Sequence, residues 1–120
     1  AMPNFVRRWI INAVSVALAA HLVGGIHLHG GVLETFMVAL VFGLVNAFVK
    51  PLAVLLSLPL LLFSLGLFYF VLNGAMLMLT ARLTPYLDVD GLGAAVLGSL
   101  VISLASVAMG RLIEKTEPRD

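Results

Sequence analysis

The sequence contains no cysteine, so neither a disulfide framework nor a thiolate metal site is available to it. Charge is scarce as well. Asp, Glu, Lys and Arg make up 11% of the residues, too few and too clustered to cover the surface of a soluble domain. The middle of every long apolar run lacks an ionisable residue, where proton relays, voltage sensors and carriers of charged substrates place one. That counts against an ion-coupled transporter but leaves a passive or oligomeric pore open. There is no nucleophile–base pair, phosphate-binding glycine loop or basic nucleic-acid patch. The sequence therefore points away from an enzyme and from a nucleic-acid partner, and it indicates no small-molecule substrate.

Apolar residues are abundant. They make up 62% of the chain, and its mean hydropathy is +1.14. Several runs reach the roughly 20 residues that a helix needs to cross a bilayer, which predicts an integral membrane protein with the lipid bilayer as its main partner. The first span is expected from about Arg7 to Val23. It lacks a small-residue cleavage site in a polar setting and so reads as a retained span rather than a signal peptide. Ala1 ahead of Met2 reads as a remnant of tag removal, which puts the natural start at Met2. Phe5 and Trp9 are suited to anchor the first span at the interface. The second span is expected from about Val32 to Val49, closed by Lys50-Pro51.

From Pro51 to Thr84 the chain is almost wholly apolar. As one helix this stretch would be about 51 Å long, against a hydrocarbon core of about 30 Å. Ser57-Leu58-Pro59 offers a break, a cap-type residue with proline just inside a new helix. The expectation is a short interfacial or re-entrant helix at about Leu52–Leu58 and a third span from Pro59 or Leu60 to Thr84. A fourth span follows from about Leu92 to Arg111, then a polar, disordered tail over 112–120. With four spans, Arg7, Arg8, Lys50, Arg111, Lys115 and Arg119 share one side, and only Arg82 lies near the other. The excess of positive charge on the inner side then puts both termini and the Lys50 loop in the cytoplasm.

An offset of sixty-one positions relates the two halves. It matches Asn12 with Asn73, His21 with Arg82, His27 with Asp88, His29 with Asp90 and Gly30 with Gly91. With one residue dropped from the first loop, Asn46 meets Ser106. The chain thus reads as a single membrane domain of two tandem hairpins: repeat one at about 7–50, a linker with the interfacial helix at about 51–59, and repeat two at about 60–111. Units of two spans keep the same orientation in the membrane, related by an axis along its normal. Gly25-Ile26-His27-Leu28-His29-Gly30 and Tyr86-Leu87-Asp88-Val89-Asp90-Gly91 alternate with a period of two and stop at glycine, the pattern of short extended segments. Antiparallel pairing would make them a small extracytoplasmic β-ribbon.

Three groups of residues are candidates for function. His27, His29, Asp88 and Asp90, with His21 and Glu34 nearby, have the imidazole and carboxylate donors that suit zinc or another divalent metal. The alternatives are solvated loop residues or His–Asp pairs across the ribbon. Asn12, Asn46 and Asn73, with Ser106 in the matching place, lie about 18–22 Å from the outer helix ends and share one level. They read either as a polar constriction or substrate contact, or as hydrogen-bonding glue between helices. Ala39, Gly43, Ala95, Ser99 and Ser103 form small-residue faces for close helix packing, and a second such face would serve a homo-oligomer.

The string Gly43-Leu44-Val45-Asn46-Ala47-Phe48-Val49-Lys50-Pro51-Leu52, then Leu58-Pro59-Leu60 and Leu65-Gly66-Leu67-Phe68, resembles the bacterial phage holin family of superfamily IV type. So does the Asn73 span followed by Asp88-Val89-Asp90-Gly91. The resemblance extends from about residue 5 to about 111. It implies a small bacterial inner-membrane protein with four spans and, from the holin label, oligomeric lesions that release a lytic enzyme. A competing role is a non-pore structural or envelope-stress protein, and a third is an extracytoplasmic metal-binding module. The chain departs from the family pattern at Gly24-Gly25, at the extra Gly31 and in its two ribbon histidines.

Overall fold

The computed structural model describes residues 3–116. The first helix, α1 (Asn4–Leu22), starts just after Pro3 and ends at the extended Val23. A turn at Gly24-Gly25 leads into strand β1 (Ile26–Leu28). Helix α2 (Val32–Phe48) follows Gly31, whose N–H donates to Glu34 Oε1 at 2.6 Å. Glu34 thereby satisfies one of the amides that a helix start leaves without an internal partner.

Helix α2 ends at Phe48, within one residue of the end expected at Val49. Val49 keeps a helical conformation, and α3 (Lys50–Leu56) continues from α2, so that Val32–Leu56 forms a 25-residue apolar run. Pro51 is tolerated because it stands in the first turn of α3, where its missing N–H would have no partner anyway. The short helix expected at about Leu52–Leu58 is α3, which starts two residues earlier and follows directly on α2.

The third span also differs from the expected single helix. Helix α4 (Leu58–Phe63) ends in a turn, and α5 (Phe68–Leu83) starts afresh. Leu65 adopts φ 55° and Gly66 φ 90°, and the Gly66 N–H reaches back to Leu61 O at 2.8 Å. This is a left-handed helix stop of Schellman type. Ser64 Oγ then accepts from the Phe68 N–H at 3.0 Å, starting α5. Ser64 and Gly66 are the local signals for this break, hidden in an otherwise apolar run.

Strand β2 (Leu87–Val89) pairs antiparallel with β1, with Ile26 opposite Val89, His27 opposite Asp88 and Leu28 opposite Leu87. Backbone bonds from His29 N to Tyr86 O and from Asp90 N to Gly25 O, both 2.8 Å, extend the pairing at each end. Gly30 and Gly91 leave their strands at φ 100° and 98°. Helix α6 (Leu92–Thr116) runs past Arg111, so residues 112–116, expected in a disordered tail, are helical. Residues 117–120 of that expected tail lie outside the described residues.

Helices α1, α2, α5 and α6 pack in a ring, each against two neighbours. Its core joins Val16 and Ala19 of α1, Val38 and Phe42 of α2, Met76 and Leu77 of α5, and Ile102 of α6. Ile26 and Leu87, from the inward face of the strand pair, are fully buried at one end of this core. The outer helix faces carry exposed Val14, Leu18, Leu44, Leu97, Leu104 and Val107, as expected of surfaces that meet acyl chains. The buried hydroxyls of Ser15, Thr80 and Ser99 bond to carbonyls of Ile11, Met76 and Val96 in their own helices.

The α5–α6 seam depends on Gly74. A Cβ there would stand 2.9 Å from Val96 Cγ2 and 3.0 Å from the Val96 backbone nitrogen. Gly74→Ala should therefore lower stability by about 1–3 kcal/mol, because the helix backbones must separate. Gly110→Ala, where nothing lies within 4 Å, is the control and should be near neutral. Unfolding in mixed detergent micelles reads the difference.

Candidate functional site

Two polar sites lie at opposite ends of the helix ring. At the ribbon, alternation along the strands puts His27, His29, Asp88 and Asp90 on the solvent face, opposite Ile26 and Leu87. His27 Nε2 lies 3.1 Å from Asp90 Oδ2, and His29 Nε2 lies 2.6 Å from Asp88 Oδ2. Both contacts join a residue to its diagonal neighbour on the other strand, within reach of long side chains. The four candidate metal ligands therefore stand as two separate pairs. Among the described residues no three His, Asp or Glu side chains gather as a metal-binding group. Glu34 is committed to the start of α2, and His21 is exposed on the last turn of α1.

At the other end of the ring, Asn12 of α1, Asn46 of α2, Asn73 of α5 and Ser106 of α6 line one cavity of about 290 Å³. The four helices bring these residues to one level, but the three amides stand around an open space. None of their side chains has a hydrogen-bond partner among the described residues. They do not tie the helices together, as small polar groups in a tight seam would. Ser106 alone bonds across helices, to Ser15 Oγ at 3.0 Å. Of the small residues, Ala39, Ala95 and Ser99 are buried in helix seams, and a Cβ on Gly43 would stand 3.5 Å from the Asn12 amide nitrogen. Ser103 is exposed and faces the cavity instead.

Lys50, which in the sequence marks only the end of a span, also lines this cavity and holds its ammonium 4.5 Å from the centre of the Tyr69 ring. The unbroken run from α2 into α3 carries it there. Its place beside the cavity depends on how α3 follows α2, which the sequence pattern does not show. A groove of about 550 Å³ between α1 and α2 adjoins the cavity, sharing Asn12 and Asn46 with it. Arg8, Trp9, Leu40 and Phe48 are among the residues of its wall. Trp9, read from sequence as an interfacial anchor, donates from Nε1 to Phe36 O at 2.8 Å and packs edge-on against the Phe36 ring. Its polar edge is thus satisfied by the neighbouring helix.

Long apolar helices with outward-facing leucine and valine, and charged groups confined to the two ends of the ring, define a helical integral membrane protein. Residues 3–108 match the family described as mycobacterial 4 TMS phage holin, superfamily IV, and the chain belongs to that family. An uncharacterized protein of Streptomyces coelicolor is 43% identical over 121 residues, covering 93% of this chain and 97% of its own length. The uncharacterized membrane protein YvlD of Bacillus subtilis is 29% identical over 96 residues, covering 79% of this chain and 80% of its own. No solved structure matches the chain.

Because the ribbon pairs are half exposed, each should couple only weakly. A double-mutant cycle of His29→Ala and Asp88→Ala should return about 0.2–1 kcal/mol, the range for exposed ion pairs. Zinc titration of the wild type and of a His27→Ala/His29→Ala variant should give superimposable isotherms; strong binding lost in the variant would show that the two pairs merge into one site.

Proposed function

We propose that this is a bacterial inner-membrane protein that crosses the bilayer four times, associates with copies of itself, and acts by permeabilising or remodelling the membrane. The observation that carries this reading is that the helix ring is filled. Ile26 and Leu87 plug its ribbon end, and Val16, Leu77 and Ile102 occupy its middle. One copy offers no conduit, so a lesion of the kind the holin name implies has to be built between copies.

Four crossings are supported by connectivity. Three helical runs, Asn4–Leu22, Val32–Leu56 and Leu92–Ile113, are long and apolar enough to span, whereas α5 has 16 residues, or about 24 Å. Yet β1 precedes α2 and pairs with β2, which follows α5. If α2 leaves the ribbon side, the chain has to return to it before Leu87, and α5 is the segment that does so. The stretch from Leu58 to Leu67 makes up part of its missing length. With Arg7, Arg8, Lys50 and Arg111 on the far side from the ribbon, both termini fall in the cytoplasm and the ribbon outside. The two hairpins then stand as tandem repeats, each with its strand at the outer turn.

A second reading, a non-pore structural or envelope-stress protein acting through lipid or protein contacts, is favoured by one observation. A groove of about 550 Å³ lies along the α1–α2 flank and not through the ring. Titrated expression with a vesicle or cell dye-leakage assay separates the two. Leakage should rise steeply above a threshold of expression, with more than one copy per particle in native lipid. A monomer that causes no leakage at any level would reject the pore reading and leave the second.

A further inference from the structure

The cavity and groove at the Lys50 end have a chemistry that neither helix packing nor a lesion between copies accounts for. Three half-buried amides face the cavity without hydrogen-bond partners among the described residues, so their donors and acceptors are open to a ligand. Ser103 and Ser106 add hydroxyls to the same wall, and Lys50 adds a cation. Among the described residues no Asp or Glu lines either space. Neither Arg8 nor Lys50 has a carboxylate partner among the described residues. The donor set is therefore rich in N–H and O–H groups and positive in charge, and suits an anion with several acceptor oxygens.

The adjoining groove determines what carries that anion. It continues from the shared Asn12 and Asn46 onto Phe5, Leu44 and Phe48, an apolar path on the flank of the ring. Phe5 and Phe48 are 61% and 70% exposed, so the path faces the acyl chains of the bilayer. A soluble anion would use the cavity and leave the groove unused, whereas a phospholipid would use both.

We propose that this site holds one anionic phospholipid, its phosphate on Lys50 and the Asn46 and Asn73 amides, and an acyl chain along the α1–α2 groove. Arg8, at the groove wall, supplies the second cation. The lipid completes the polar layer, replacing hydrogen bonds that the three asparagines do not make with one another. The proposed topology decides only which leaflet supplies the lipid, and self-association is not required.

Trp9 is the single tryptophan of the chain and stands in the groove wall, so it reports occupancy directly. The full chain is reconstituted in phosphatidylcholine vesicles containing a minor fraction of phosphatidylglycerol, with bromine on the acyl chains of one lipid or the other. Both leaflets carry the label, so the result is independent of orientation. Brominated phosphatidylglycerol should quench Trp9 more strongly than brominated phosphatidylcholine at equal mole fraction. Lys50→Gln should weaken that preference about fivefold, the effect of one basic residue at an anionic surface, and Lys50→Arg should restore it. Arg8→Gln gives an independent weakening away from the α2–α3 junction. Equal quenching by the two lipids would overturn the proposal. Loss of the preference on adding inorganic phosphate would also overturn it, assigning the cavity to a free anion.

Discussion

Pairing of two three-residue strands holds the two helical hairpins to one another. β1 and β2 are separated by about half of the chain, and their ladder joins the turn after α1 to the turn after α5. The pairing satisfies backbone groups that no helix reaches, and its alternation turns Ile26 and Leu87 inward while the His–Asp pairs face out. Gly98 belongs to the same arrangement, since a Cβ there would overlap Ile26 Cδ1. A small residue on α6 thus makes room for the strand pair to seat on the bundle. Slipping the register by one residue would exchange the faces, burying histidine and aspartate and exposing the apolar plug.

Two solvents impose opposite demands on the rest of the chain. Against lipid, burying apolar side chains between helices gains little, and close contact at Gly74, Ala39 and Ala95 has to supply the packing. Hydroxyls buried in the seams bond within their own helices and impose no cost on assembly. The Lys50 end breaks this economy. There the fold keeps an open, donor-lined space, the proposed seat of an anionic lipid.

Much of this was legible locally. Period-two alternation needs only neighbouring residues, and the stretches at 26–28 and 87–89 are strands. Helix existence followed from long apolar runs. Helix ends inside those runs did not, because a proline in a first turn looks the same in sequence whether a helix stops or merely continues after it. Lys50-Pro51 was read as closing α2, which ends at Phe48, but the apolar run carries on through α3 to Leu56, whereas Ser64-Leu65-Gly66 was read through and is a stop. The polar level of Asn12, Asn46, Asn73 and Ser106 could be reached by counting turns, but Lys50 could not be placed beside it. Whether amides touch or stand apart depends on helix separation, which side chains elsewhere in the seam determine. The diagonal His–Asp pairing is of the same kind: alternation puts all four on one face, and only the register decides which carboxylate each imidazole meets.

The central claim is that strand pairing forces the short α5 to cross, leaving the ribbon outside and the Lys50 end inside. The absence of cysteine makes single-cysteine labelling clean. His29→Cys, Asp90→Cys and Arg8→Cys variants, treated with a membrane-impermeant maleimide in intact spheroplasts, test it directly. Positions 29 and 90 should both react from outside, and position 8 only after permeabilisation. Reaction at 29 but not at 90 before permeabilisation would put the two strands on opposite sides of the membrane and contradict the account.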